Sequence, residues 1–119
     1  MNAPSIQRLQ ADLGLTTQQA KLVRALIRKE VKTWDETLFP ATSAWLKTCY
    51  HRPSYPDRLL SALNEVIGGD GVEAIEGREF NQPSALYVNT GDAYSPTLLY
   101  CYRSNTVRLT TLGDYAERL

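Results

Sequence analysis

Residues 86–117 read LYVNTGDAYSPTLLYCYRSNTVRLTTLGDYAE, and they hold most of the β-forming sequence of the chain. Residues 86–89 form a first strand. Thr90, Gly91 and Asp92 form a turn in which glycine supplies a positive φ. A second strand spans 97–102, a hairpin turn 103–105 and a third strand 106–110. Side chains alternate along them: Leu99 and Cys101 fall opposite Leu98, Tyr100 and Tyr102, while Val107 and Leu109 flank Arg108. A second Gly-Asp pair, Gly113-Asp114, leads into a last helical turn over 115–119 with Asp114 as its N-cap.

Working backwards, 72–75 reads as a further short strand and 76–84 as a loop. Before them stands Gly68-Gly69-Asp70-Gly71. A phosphate loop leads from a strand into a helix and carries Lys-Ser/Thr; this stretch follows a helix and lacks both, so it reads as a helix-to-strand connection. That helix opens at Pro56, buries Leu59, Leu60, Leu63, Val66 and Ile67, and ends at Gly68. Asp57 lies in its first turn, where a carboxylate suits the positive end of the helix dipole.

The first half is helical. Pro4 fits a first helical turn, Ile6, Leu9 and Leu13 follow at helical spacing, and Gly14 stops the helix. Thr16 and Gln19 make a capping box at the head of a second helix running to about Trp34. Ala20, Val23, Leu26, Ile27, Val31 and Trp34 share its apolar arc, interrupted by Glu30, and Lys21, Arg24, Arg28 and Lys32 form a basic stripe beside it. A solvated face accounts for such a stripe, and so does a surface for an acidic partner. A short helix follows Thr42 or Ser43, and Tyr50, His51, Arg52 and Tyr55 gather around Pro53 and Pro56 as an aromatic loop patch.

The fold these elements predict is α+β: N-terminal helices packed on a small antiparallel sheet of three to four strands, with a short C-terminal helix. The length of 119 residues predicts one domain, with a helical half over 1–68 and a sheet half over 69–119. An apolar fraction of 43% argues against disorder. Thirteen basic and thirteen acidic residues cancel, so no global field draws the protein to nucleic acid or membrane. Direct nucleic-acid contact would have to run through Lys21, Arg24, Arg28 and Lys32. The N-terminus has no signal-peptide pattern and no stretch is apolar enough to span a bilayer, which predicts a soluble cytoplasmic protein without membrane contact.

One histidine and two separated cysteines, Cys49 and Cys101, do not make a four-ligand zinc site; the thiols read as a reduced pair, and the spacing also allows a disulfide between them. The same single histidine would have to serve every nucleophilic triad, so the chain leans away from being an enzyme and calls for no cofactor. The turns gather Asn89, Asp92, Tyr94 and Asp114, with Glu117 nearby. Antiparallel pairing puts the turn before Thr97 at the sheet end where the strand over 106–110 finishes, so Asp92 and Asp114 approach each other. Local backbone hydrogen bonding explains aspartates at such turns. The alternatives are a polar recognition surface or a small carboxylate- or metal-assisted enzyme at Asp92 and Asp114.

Tyr87, Asn89, Gly91, Asp92, Tyr94, Thr97, Leu98 and Tyr100, then Thr111, Gly113, Asp114 and Glu117, spell Y-x-N-x-G-D-x-Y-x-x-T-L-x-Y followed by T-x-G-D-x-x-E. Upstream, Gly69, Gly71, Val72, Glu73 and Ile75 spell G-x-G-V-E-x-I. The second half thus resembles a scattered family of small bacterial, plasmid and phage proteins, with Tyr115 where the family tends to have Trp. The resemblance implies a mobile-element setting and action by binding: an adaptor, a toxin–antitoxin partner, or an inhibitor of host defence such as an anti-CRISPR protein. The partner expected is a protein or nucleoprotein complex. The expected binding residues are Lys21, Arg24, Arg28 and Lys32 on the stripe and Asn89, Asp92, Tyr94, Asp114 and Glu117 at the sheet end.

Overall fold

The computed structural model describes residues 3–28, 30, 37, 40, 42–43, 55–77 and 83–117. Helix α1 (Ile6–Leu13) starts from Ser5, whose hydroxyl accepts the Arg8 N–H at 3.2 Å. Pro4 therefore stands outside the helix, ahead of a residue whose side chain accepts the capping hydrogen bond, which a proline ring cannot do. Gly14, at φ 66°, returns its N–H to the Gln10 carbonyl and ends the helix.

Helix α2 (Thr17–Ile27) opens with the complete capping box of Thr16 and Gln19. It stops short of Trp34. Arg28 is its C-cap, and the Glu30 N–H turns back to the Ala25 carbonyl at 2.9 Å, which closes the last turn. Residues 29 and 31–36 lie outside the described residues, and so do Cys49, the aromatic patch around His51 and nearly all of the helix expected after Thr42. Helix α3 (Tyr55–Ile67) begins one residue ahead of Pro56 and ends at Gly68, whose N–H bonds the Asn64 carbonyl.

Four strands follow: β1 (Val72–Glu76), β2 (Pro83–Val88), β3 (Thr97–Cys101) and β4 (Thr106–Thr110). They make an antiparallel meander in the order β1-β2-β3-β4. Gly68–Gly71 is the connection from α3 to β1. Asn64 Oδ1 accepts the Gly71 N–H, while Asp70 and Asn89 tie the connection to the end of β2. Gly69 sits so close to β2 that a Cβ there would come within 2.4 Å of Val88 Cγ1 and 2.9 Å of the Asn89 carbonyl oxygen. In the β3–β4 turn Asn105 takes φ 53°, and its side chain accepts the Tyr100 hydroxyl.

Helix α4 (Leu112–Glu117) begins earlier than the sequence suggests. Its cap is Thr111, which accepts the Asp114 N–H on Oγ1 at 3.1 Å, so Asp114 lies inside the first turn. A threonine at the end of a strand can serve as a cap, and here it takes that role from the aspartate.

The centre of the sheet is buried on both faces. Leu86, Val88, Leu98, Tyr100 and Val107 pack against the apolar sides of α1, α2 and α3. On the other face Ala85, Leu99 and Cys101 form a second core with Tyr115 of α4, and Ile75, Tyr87 and Leu112 pack around it. Every residue of β3 is buried, the pattern of a central strand covered on two sides.

Candidate functional site

The β2–β3 turn is the part of the expected site with the most internal structure. Asn89 Oδ1 accepts the Gly91 N–H at 3.1 Å, and Gly91 takes φ 135°, a conformation that L side chains rarely adopt. Asp92 Oδ1 then accepts three bonds, from the Tyr94 N–H (2.8 Å), the Ser95 N–H (2.9 Å) and the Ser95 hydroxyl (3.2 Å). The Tyr94 and Ser95 donors hold the Asp92 carboxyl below its ordinary range, because each favours the charged form. Thr90 Oγ1 closes the turn by donating to the Pro96 carbonyl at 2.9 Å.

The turn is also fixed from outside. The Gly113 N–H donates to the Ala93 carbonyl at 3.0 Å, which docks the turn onto α4. Thr97 pairs with Thr110, as the antiparallel argument requires, and the two Gly-Asp turns meet through this backbone bond. Their carboxylates have different surroundings. Asp92 is committed to its own loop, and Asp114 is an exposed first-turn residue of α4. Glu117 closes α4, its side chain outside the described residues. No group of three His, Cys, Asp or Glu among the described residues could hold a metal ion.

What the turn presents is Tyr94. Its side chain is 86% exposed, and it is the one exposed large hydrophobic residue among the described residues. The bonds from Tyr94 and Ser95 N–H to Asp92 fix the backbone that carries it.

Beside the turn, a cluster joins Asn89 to two residues that the sequence reading placed only within the family pattern. Glu73 on β1 stands opposite Tyr87 on β2 and accepts its hydroxyl at 2.5 Å, while Asn89 Nδ2 reaches the same carboxylate at 3.4 Å. The hydrogen bond to Glu73, with some burial and the charge of Glu73, raises the Tyr87 pKa. The pairing depends on a register set across the long β1–β2 connection, so no local signal in the sequence marks it.

The basic stripe is only partly a stripe. Lys21 is exposed and Arg24 half-buried on α2, but Arg28 sits at the C-cap and pairs with Glu30 at 3.0 Å. Lys32 lies outside the described residues. Elsewhere Cys101 is a buried free thiol. Burial would raise its pKa, but hydrogen bonds from the Ser104 hydroxyl and from the Ser104 and Arg103 N–H groups, with the charge of Arg108, bring it down.

No protein-family model, curated protein or solved structure matches the chain. No described helix is long and apolar enough to cross a membrane.

Proposed function

We propose that this chain is a small protein-binding protein that acts as an inhibitor in a phage or mobile-element setting, on a bacterial nucleoprotein complex of host defence, as anti-CRISPR proteins do. The observation that carries the binding reading is Tyr94: a solvent-exposed aromatic ring on a turn locked by Asp92 and docked to α4. Tyrosine offers a large contact area with a polar tip, and few torsions must be frozen when it binds. A turn already fixed in the free protein lowers the ordering cost further. The setting follows from the resemblance carried by Tyr87 through Glu117.

The committed state of Asp92 supports binding over carboxylate chemistry. An oxygen that already accepts three hydrogen bonds is held as an anion and organises its loop, which is a poor arrangement for a proton-shuttling base. The basic residues Lys21 and Arg24 offer a second surface towards an acidic partner, and cytoplasmic action fits a partner of this kind.

Capture of partners from a bacterial lysate tests the proposal, with and without nuclease treatment. The comparison uses the wild-type protein, Asp92→Ala, and a triple reversal of Lys21, Arg24 and Arg28 to Glu. A specific partner retained by the wild type and lost with Asp92→Ala supports binding through the turn. Loss in the triple reversal alone moves the surface to α2. No specific partner in any arm removes the proposal.

A further inference from the structure

A groove of about 590 Å³ runs past β4, and its shape identifies what it is built against. Five consecutive residues, 107–111, line it. Alternate side chains of a strand point to opposite faces, so consecutive residues share a groove only along the strand's edge. The walls agree: one comes from α1, which belongs to the core on one face of the sheet, and the other from α4, which covers the opposite face.

β4 is an outermost strand of the sheet, with β3 on its inner side. Its register against β3 is regular over all five residues, and no further backbone hydrogen bond reaches residues 106–110 from any described residue. The outward N–H and C=O groups of β4 therefore open into the groove. Natural proteins usually blunt such an edge. The opposite edge is treated that way, since β1 carries the charges of Glu73 and Glu76 and its pairing with β2 is irregular at Ile75–Glu76, where Ser84 of β2 falls between the paired Ala85 and Pro83. β4 has a regular register, no proline and a single charge, Arg108.

We propose that the groove takes an extended peptide of a partner protein as a fifth strand beside β4, with an acidic side chain of the peptide set against Arg108. Backbone pairing supplies the affinity and side-chain pairs the selectivity, as in other cases of strand addition. Arg108 is exposed at the middle of the strand and has no salt-bridge partner among the described residues; of the groove's other charges, Arg8 faces Asp12 at 3.8 Å and Asp114 stands in the α4 wall. An acidic residue opposite Arg108 on the added strand completes the cross-strand pair. The same charge argues against a second copy of this chain as the occupant: two β4 edges paired about a two-fold axis at Arg108 would set two arginines face to face. The Thr110 end of the groove lies beside Pro96 and the Tyr94 turn, so the proposal rests on the protein-binding reading and names the form in which the partner is held.

The test is selection of a displayed library of random nine-residue peptides on the immobilised whole chain, followed by titration of the enriched peptides by heteronuclear NMR. The expected result is β-branched peptides carrying Asp or Glu, with shift changes along residues 106–110. N-methylation of alternate peptide residues should weaken them by about tenfold or more, the loss of one or two hydrogen bonds. Arg108→Glu, a change at an exposed position, should shift the preference to basic peptides. Failure to enrich peptides, shift changes mapping elsewhere, or binding indifferent to both N-methylation and Arg108→Glu overturns the proposal. Because this readout needs no cellular partner, the groove can fail while capture through Tyr94 stands, and the reverse.

Discussion

At the scale of single residues, the chain uses the dipeptide Gly-Asp twice for two different physical reasons. Gly91 needs its positive φ and Asp92 its three donors, so that pair builds a turn. Gly113 has no positive φ and a Cβ there would meet the Ala93 carbonyl oxygen at 3.5 Å and Thr111 Oγ1 at 3.9 Å, both ordinary contacts. Gly113→Ala should therefore be neutral or stabilising by up to about 1 kcal/mol, since alanine is the better helix former. Gly69→Ala should destabilise by about 1–3 kcal/mol, because the added methyl overlaps Val88 and the Asn89 backbone. Paired chemical denaturation of the two variants checks both. Asp92 gives a pH prediction. Its folded pKa lies below the unfolded value, so its contribution to the turn is complete above the unfolded value and is lost as pH falls through the folded one. The Tyr94 and Ser95 amide resonances should move together in that acid range and stay flat from there to neutral pH. Both Gly-Asp pairs were visible in the sequence, but the difference between them was not, because it depends on which residue caps α4 and on what Gly113 touches.

At the scale of elements, legibility followed how local the determining interactions are. The Thr16–Gln19 box spans four residues, so its pattern alone predicted the start of α2. The end of α2 did not follow from its apolar arc, because the helix stops at Ile27 with Arg28 as C-cap and the Glu30 N–H bonds back to the Ala25 carbonyl. Alternation in β3 was readable, yet that both of its faces are buried depends on α4 folding back over Leu99 and Cys101. Tyr115 is the residue that makes that contact. Only 8% exposed, it packs in the second core, and its hydroxyl has no hydrogen-bond partner among the described residues. Tyr115→Ala should cost about 3 kcal/mol, as for other large-to-small aromatic changes in cores, and Tyr115→Phe close to nothing. Thermal unfolding of the two variants separates packing from hydrogen bonding. If both lose stability equally, the hydroxyl has a role that the packing does not explain.

At the scale of the whole molecule, zero formal charge and a sheet whose centre is covered on both faces leave few surfaces with recognition chemistry. The helical half supplies Lys21 and Arg24. The sheet half supplies the Tyr94 turn and, next to it, the β4 edge. That the β2–β3 turn and the head of α4 meet at one sheet end was legible because antiparallel connectivity fixes which turns are neighbours. The Glu73–Tyr87 pair was not legible, since its register is set across a connection whose length does not determine pairing. The central claim is that the Tyr94 ring anchors a protein partner. The measurement that tests it most directly is quantitative capture from bacterial lysate by wild type, Tyr94→Ala and Tyr94→Phe, each with its fold verified by NMR. The account predicts loss of about thirtyfold or more with Tyr94→Ala, the size of a hot-spot truncation, and a much smaller loss with Tyr94→Phe. Equal capture by wild type and Tyr94→Ala would contradict it.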